Sequence, residues 1–122
     1  MSGTSSLPHF QRFVWESLPL RKEAVGQEIV YDAILLAIQF WPVEPLSQVE
    51  SKQEPVVLNV LCRDIRRVLC VLYGEERLQG YWILGMHALA PEIVRVIHGW
   101  WKRRKDNQAK IVMWRRKWVV EQ

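Results

Sequence analysis

The stretch IVYDAILLAIQFW, residues 29–41, is apolar at almost every position. A helix that is apolar on most of its sides is buried on most of its sides, so this stretch predicts a central helix. Helical spacing extends the predicted helix back to about residue 21. Pro42 ends it, because proline cannot continue a helix. The stretch therefore predicts an all-α fold assembled round this helix.

Further helices are predicted on both sides of the central one. The first, residues 6–18, opens with Ser6 as an N-cap and continues with apolar residues at helical spacing. The third covers residues 55–73, after an exposed acidic loop at residues 42–55. Together with the pattern of the second half, these signals predict a single domain, residues 1–122, folded as a compact bundle of about five helices.

The predicted helix over residues 55–73 carries two apolar strips. One strip follows the core-facing spacing, and the other consists of Val56, Val60 and Val71 on the back of the helix. Two apolar strips need partners on two sides, and the second partner can be another copy of the chain. The sequence therefore predicts a homodimer, in which the N-terminal half, residues 8–41, also supplies dimer surface.

Basic residues are concentrated at the end of the chain. Residues 99–122 carry eight lysines and arginines against two acidic residues, whereas residues 1–98 carry nine against eleven. Four of the seven tryptophans also lie in this last segment. Basic and aromatic residues together bind phosphates and stack on bases, or sit at a lipid headgroup layer. The alternative is a solvated terminal helix whose tryptophans pack on the core.

Length and composition exclude several classes of protein. With 122 residues, 49% apolar content and two cysteines, the chain is neither a disordered polymer nor a disulfide-framed scaffold. Its first residues lack the features of a signal peptide, and no apolar run approaches a membrane span. No phosphate-binding glycine loop, nucleophile elbow or metal-ligand spacing occurs. We therefore predict a cytoplasmic protein that is not an enzyme and holds no cofactor or metal.

A tight turn at Leu89-Ala90 is expected to separate two helices, residues 76–88 and 91–105. The run ILGMHALAPEIVR, residues 83–95, resembles the helix-turn-helix of bacterial and phage DNA-binding proteins. The resemblance extends over residues 79–103. It gives the predicted bundle a helix-turn-helix-like second half.

The match of this run to the motif is partial. Four of the five usual apolar positions are filled, by Ile83, Leu89, Val94 and Ile97. Four positions depart from the motif, namely His87 at the fifth apolar position, Leu84 for a small residue, Ala88 for glycine, and Ala90 at the cap. An antiparallel helix pair with a solvated basic end is the alternative interpretation.

The resemblance implies that the second of these helices enters the major groove of duplex DNA. With Val94, Ile97 and Trp101 turned inward, helical geometry turns a largely basic face outward. That face consists of Glu92, Arg95, Gly99, Lys102 and Arg103. The residues predicted to bind base edges or phosphates are Arg95 and Lys102, and those predicted to bind phosphates are Arg103, Arg104 and Lys105.

The last segment, residues 108–120, predicts either a helix or a β-hairpin. A helix would scatter charge round every face, which is a poor amphipathic pattern. Two short strands, residues 111–114 and 118–120, would flank a basic tip. We therefore favour a short hairpin that resembles the wing of a winged helix. Its tip would add three cations to the DNA-binding set, namely Arg115, Arg116 and Lys117.

The favoured function is that of a small nucleic-acid-binding protein with a regulatory or accessory role. It would contact duplex DNA, or another nucleic acid, through the basic helix and tail. The alternative is a helical protein-interaction adaptor or inhibitor that uses an exposed aromatic and basic surface. Binding to a membrane surface through the tryptophans and lysines is the weakest of the three interpretations.

Overall fold

The computed structural model describes residues 6–18, 25–42, 54–76, 78 and 87–120. Within these ranges the chain is all α, with five helices of eleven residues or more and no strand. The helices are α1 (Leu7–Ser17), α2 (Gln27–Phe40), α3 (Glu54–Tyr73), α4 (His87–Arg103) and α5 (Lys105–Val120). The predicted all-α bundle is confirmed. No helix in the described ranges has both the length and the apolar character needed to cross a membrane.

Helix α2 is the centre of the bundle, as its apolar sequence predicts. It packs against each of the other four helices. Six of its residues are at most 1% exposed, namely Ile29, Val30, Ala33, Ile34, Ala37 and Ile38. Asp32, which interrupts this apolar run, accepts a hydrogen bond from the hydroxyl of Tyr73 on α3. A neighbouring helix therefore satisfies the carboxylate on the central helix.

Helix α1 begins at the predicted cap. The Ser6 hydroxyl accepts a hydrogen bond from the backbone N–H of His9 at 3.2 Å, which satisfies one of the free donors of the first turn. Phe10 and Val14 lie on its buried face. Both contribute to the core shared with α2 and the last two helices.

Helix α2 is preceded by Gly26, whose backbone φ is +101°. Residues other than glycine rarely adopt this φ, because their Cβ makes it unfavourable. We expect Gly26→Ala to lower the free energy of unfolding by about 1–3 kcal/mol, because alanine at this φ is strained.

The matched control is Gly99→Ala within α4, where an added Cβ meets no atom within 4 Å. It should raise stability by about 0.5–1 kcal/mol through helix propensity. Urea unfolding of both variants checks this, and equal effects would contradict it.

The structure corrects the prediction for the last segment, because residues 105–120 form α5 and not a hairpin. Ile111 and Trp114 lie on one side of this helix and are buried against the bundle. Arg115 stands beside them and is half-buried through its contacts with the end of α2. The charge that seemed to spoil the amphipathic pattern therefore includes one cation that belongs to the packed side.

The structure also corrects the predicted turn at Leu89-Ala90. Helix α4 begins at His87 and continues through both residues to Arg103. Pro91 lies in the opening turns, where its missing N–H interrupts only one backbone hydrogen bond. Of the predicted preceding helix over residues 76–88, only positions at its two ends fall within the described residues.

Candidate nucleic-acid interface

Helix α4 turns one face to the core and the opposite face outward. Val94, Ile97 and Trp101 are buried, which is the inward set that helical spacing predicts. The outward positions Arg95 and Lys102 are exposed, and so are Gly99 and Arg103. The structure therefore presents the predicted basic face of this helix on the molecular surface.

Two cations of this face already have acidic partners. The guanidinium of Arg95 lies 3.2 Å from a carboxylate oxygen of Glu92 on the same helix. The ammonium of Lys102 lies 3.8 Å from a carboxylate oxygen of Glu54, at the start of α3. Exposed ion pairs of this kind contribute little to stability. They place a negative charge beside each cation, however, so a phosphate has to compete for it.

The same carboxylate approaches a histidine. Nε2 of His98 lies 3.4 Å from Glu54. Burial lowers the pKa of His98 more than the neighbouring carboxylate raises it, so the imidazole favours its neutral form. His98 also packs against the rings of Trp41 and Trp101. It therefore belongs to the core side of α4.

The corner between α4 and α5 holds cations without acidic partners. Helix α4 ends at Arg103, Arg104 is the single residue between the helices, and Lys105 begins α5. All three side chains are exposed. None of them lies within 4.0 Å of a carboxylate among the residues that the structure describes. Three adjacent positive charges are therefore free to meet a polyanion.

Asn107 fixes the geometry of this corner. Its side chain is buried and donates a hydrogen bond of 2.7 Å to the carbonyl oxygen of Trp100, in the last turn of α4. Its backbone N–H donates to the carbonyl oxygen of Arg104 at 3.1 Å. The two bonds tie the end of one helix to the start of the next, so the cations project from a supported backbone.

A cleft of about 460 Å³ opens beside the corner, between α1, α4 and α5. Asn107 lines it together with three aromatic side chains, Phe10, Phe13 and Trp100. The basic side chains that line it are His9, Arg103, Arg104 and Lys110. The rings of Phe10 and Trp100 are 4.3 Å apart between centroids. Those of Trp100 and Trp114 are 5.8 Å apart and nearly parallel. An aromatic cluster therefore forms the floor of a cleft with a cationic rim.

Arg115 does not belong to this surface. Its guanidinium donates hydrogen bonds to the carbonyl oxygen of Ile38, at 3.1 and 3.2 Å, and to the carbonyl oxygen of Trp41. Burial lowers the pKa of the guanidinium from its usual value. The Arg115 side chain therefore caps the carboxyl end of α2 and does not stand beside the corner cations with which it was predicted to bind DNA.

The other two cations of the predicted tip, Arg116 and Lys117, are exposed on α5. Helical spacing puts Lys117 on the same side as Lys110, two turns further along. Lys117 therefore lies on the Lys110 side of α5, beyond the residues that line the cleft. Arg116 is turned about 100° round the helix axis from Lys117.

Most described tryptophans of the last segment are core residues. Trp101 and Trp114 are buried, and Trp100 is half-buried. The adaptor and membrane interpretations require an exposed surface of tryptophan side chains. Trp101 and Trp114 do not contribute to such a surface, because both are buried. Sequence reasoning also missed Phe13 and Lys110 as site residues, since only tertiary packing brings α1 to the corner.

Comparison with protein-family models, with curated proteins and with solved structures finds no match to this chain.

Proposed function

We propose that the protein binds nucleic acid through the corner between α4 and α5. The observation that carries the proposal is the group of three adjacent exposed cations, Arg103, Arg104 and Lys105, which have no acidic partner in the described part of the chain. Lysine and arginine side chains of this kind neutralise phosphates and release the counterions condensed on them. The proposed role is regulatory or accessory.

The proposed contacts are to the phosphate backbone. Major-groove reading by a helix-turn-helix needs a turn before the reading helix, whereas Leu89 and Ala90 lie inside α4. Arg95 and Lys102, the predicted base readers, are engaged by Glu92 and Glu54. Contacts to phosphates position a protein and carry no sequence information by themselves. Weak dependence on DNA sequence is therefore part of the proposal.

A salt titration with short duplex DNA tests the proposal. We expect the logarithm of the association constant to fall linearly with the logarithm of the salt concentration. The double variant Arg103→Gln, Arg104→Gln should reduce the slope by about 1–2 and weaken binding at low salt by roughly tenfold or more. Fluorescence anisotropy of a labelled duplex measures both quantities.

The matched control removes the same charge from another face. Arg63 and Arg67 are exposed on α3, so Arg63→Gln, Arg67→Gln lowers the net charge equally and leaves the corner intact. This control should keep the wild-type slope. An equal loss in both double variants would show that only the overall charge matters, and undetectable binding by the wild type would refute the proposal.

A second candidate function, that of a protein-interaction adaptor, is favoured by the outer face of α3. The second apolar strip predicted from the sequence is exposed there. Val56, Val60 and Val71 are 40–80% exposed, which is unusual for aliphatic side chains aligned along one helix. Arg63 and Arg67 lie between them, so a complementary partner would offer carboxylates between apolar residues.

The predicted homodimer would use the same strip. Sedimentation equilibrium of the wild type and of Val71→Lys distinguishes the partners. A dimer that dissociates in the variant would identify a second copy of the chain as the partner. A monomer in both would leave an acidic partner protein as the candidate for this face.

A further inference from the structure

We propose that the cleft between α1, α4 and α5 binds an unpaired nucleotide, with the base against the aromatic floor and the phosphate on the cationic rim. The inference rests on the proposed function, because Arg103 and Arg104 belong to both the corner and the cleft. It adds a ligand class that the corner alone does not specify, namely nucleotides whose bases are free of a duplex.

The size of the cleft suits a small organic ligand. Its volume of about 460 Å³ lies within the range of about 300–1,000 Å³ that is typical of ligand pockets. Three helices contribute to its walls, and the link from Asn107 to the carbonyl oxygen of Trp100 holds two of them together. The cleft is therefore formed by the packing of the bundle.

The floor of the cleft supplies aromatic faces. Phe13 is 39% exposed, while Phe10 beside it is buried, with 6.2 Å between their ring centroids. Trp100 is half-buried and stacks on Trp114. Every base has a π-face that can stack on such rings, so stacking tolerates different sequences. Phe13 is the ring with the most area left for a ligand.

The rim supplies positive charge on both helices of the corner. Arg103, Arg104 and Lys110 line the cleft, and no aspartate or glutamate does so among the described residues. Arginine forms paired hydrogen bonds with phosphate oxygens, and lysine acts as a point charge. A ligand that is planar at one end and anionic at the other matches both the floor and the rim.

Paired bases cannot enter such a cleft, because their faces are already stacked within the duplex. Bases of single strands, loops and ends are free to stack on protein side chains. The chemistry of a base joined to a phosphate has two sources, a single strand or a free mononucleotide. Both sources are included in the test.

The test compares three probes with the full chain, namely a short oligothymidylate, an abasic strand of the same length, and thymidine monophosphate. We expect the oligothymidylate to bind about fivefold or more tightly than the abasic strand, because only the former can stack. Phe13→Ala should abolish that preference. Lys110→Gln should weaken binding of both strands.

Phe40→Ala is the matched control, because Phe40 is 44% exposed on α2 and does not line the cleft. It should keep the base preference of the wild type, and Phe13→Trp should keep or increase it. If thymidine monophosphate displaces the oligothymidylate from the wild type but not from Phe13→Ala, the free nucleotide is a ligand of the cleft as well. If it displaces nothing, the ligand is the single strand.

Equal binding of the two strands by the wild type would overturn the inference, and so would an equal effect of Phe13→Ala and Phe40→Ala. Either result leaves the proposed function standing if both strands still bind with the salt slope that Arg103 and Arg104 control. Loss of that slope would instead refute the proposed function, so the two failures are distinguishable.

Discussion

Replacement of Arg115 by methionine is expected to lower the free energy of unfolding by about 2–3 kcal/mol. The guanidinium donates to the carbonyl oxygens of Ile38 and Trp41 at the end of the central helix. The Ile38 carbonyl also accepts a hydrogen bond of 3.4 Å from the backbone N–H of Trp41. Hydrogen bonds from charged groups contribute about 1.5–3 kcal/mol, and a buried carbonyl that loses such a donor remains partly desolvated. Methionine keeps much of the side-chain volume but donates nothing.

The matched control for this prediction is the next residue along the chain. Arg116→Met removes the same charge from an exposed position of the same helix, so it should change stability by no more than about 0.5 kcal/mol. Urea unfolding followed by circular dichroism measures both variants. A difference below about 1 kcal/mol between them would mean that Arg115 does not support the end of α2.

Phe10→Ala is expected to cause the largest loss, about 3–5 kcal/mol. The Phe10 side chain is 4% exposed. Its ring centroid lies 4.3 Å from that of Trp100 on α4 and 5.0 Å from that of Trp114 on α5. Truncation leaves a cavity where three helices meet, and the surrounding rings can fill it only in part.

Phe13→Ala provides the comparison on the same helix. Because Phe13 is 39% exposed and Phe10 is 4% exposed, loss of the Phe13 ring should cost only about 1–2 kcal/mol. Thermal unfolding of the two variants should therefore give clearly separated midpoints. Similar midpoints would indicate that α1 is anchored by its whole length and not by Phe10. The small cost expected for Phe13→Ala also makes it a usable probe of the cleft.

The parts of the fold set by local pattern were predictable from the sequence. The apolar run of α2 identifies a central helix because such a run is stable only when it is surrounded. The cap at Ser6 depends on a hydrogen bond within three residues of the chain. The division of α4 into Val94 and Ile97 inside and Arg95 outside follows from helical periodicity alone.

The errors came from contacts between residues distant along the chain. The sequence alone predicts a solvent-facing Arg115. In the fold, its hydrogen-bond acceptors come from the end of α2, more than seventy residues away. Charges on every face of residues 108–120 favour a hairpin over a helix, and Arg115 is the one of these charges that the structure places on the packed side of α5. The turn at Leu89-Ala90 was inferred from a short motif, and motifs of this length do not determine backbone geometry without their context.

The candidate site divides in the same way. The basic corner was visible in the sequence, because Arg103, Arg104 and Lys105 are consecutive. The cleft was not, since Phe13 and Lys110 line one cleft only after α1 has packed against the last two helices. Burial of Trp101 and Trp114 likewise depends on this packing, so composition alone overstated the exposed aromatic surface.

The cap on α2 has a consequence for synthesis on the ribosome. Ile38 and Trp41 emerge more than seventy residues before Arg115, whose guanidinium donates hydrogen bonds to their carbonyl oxygens. A nascent chain that has exposed the central helix but not α5 also lacks Ile111 and Trp114 from its core. The bundle therefore closes only after α5 has left the ribosome, and until then its apolar centre is open to aggregation.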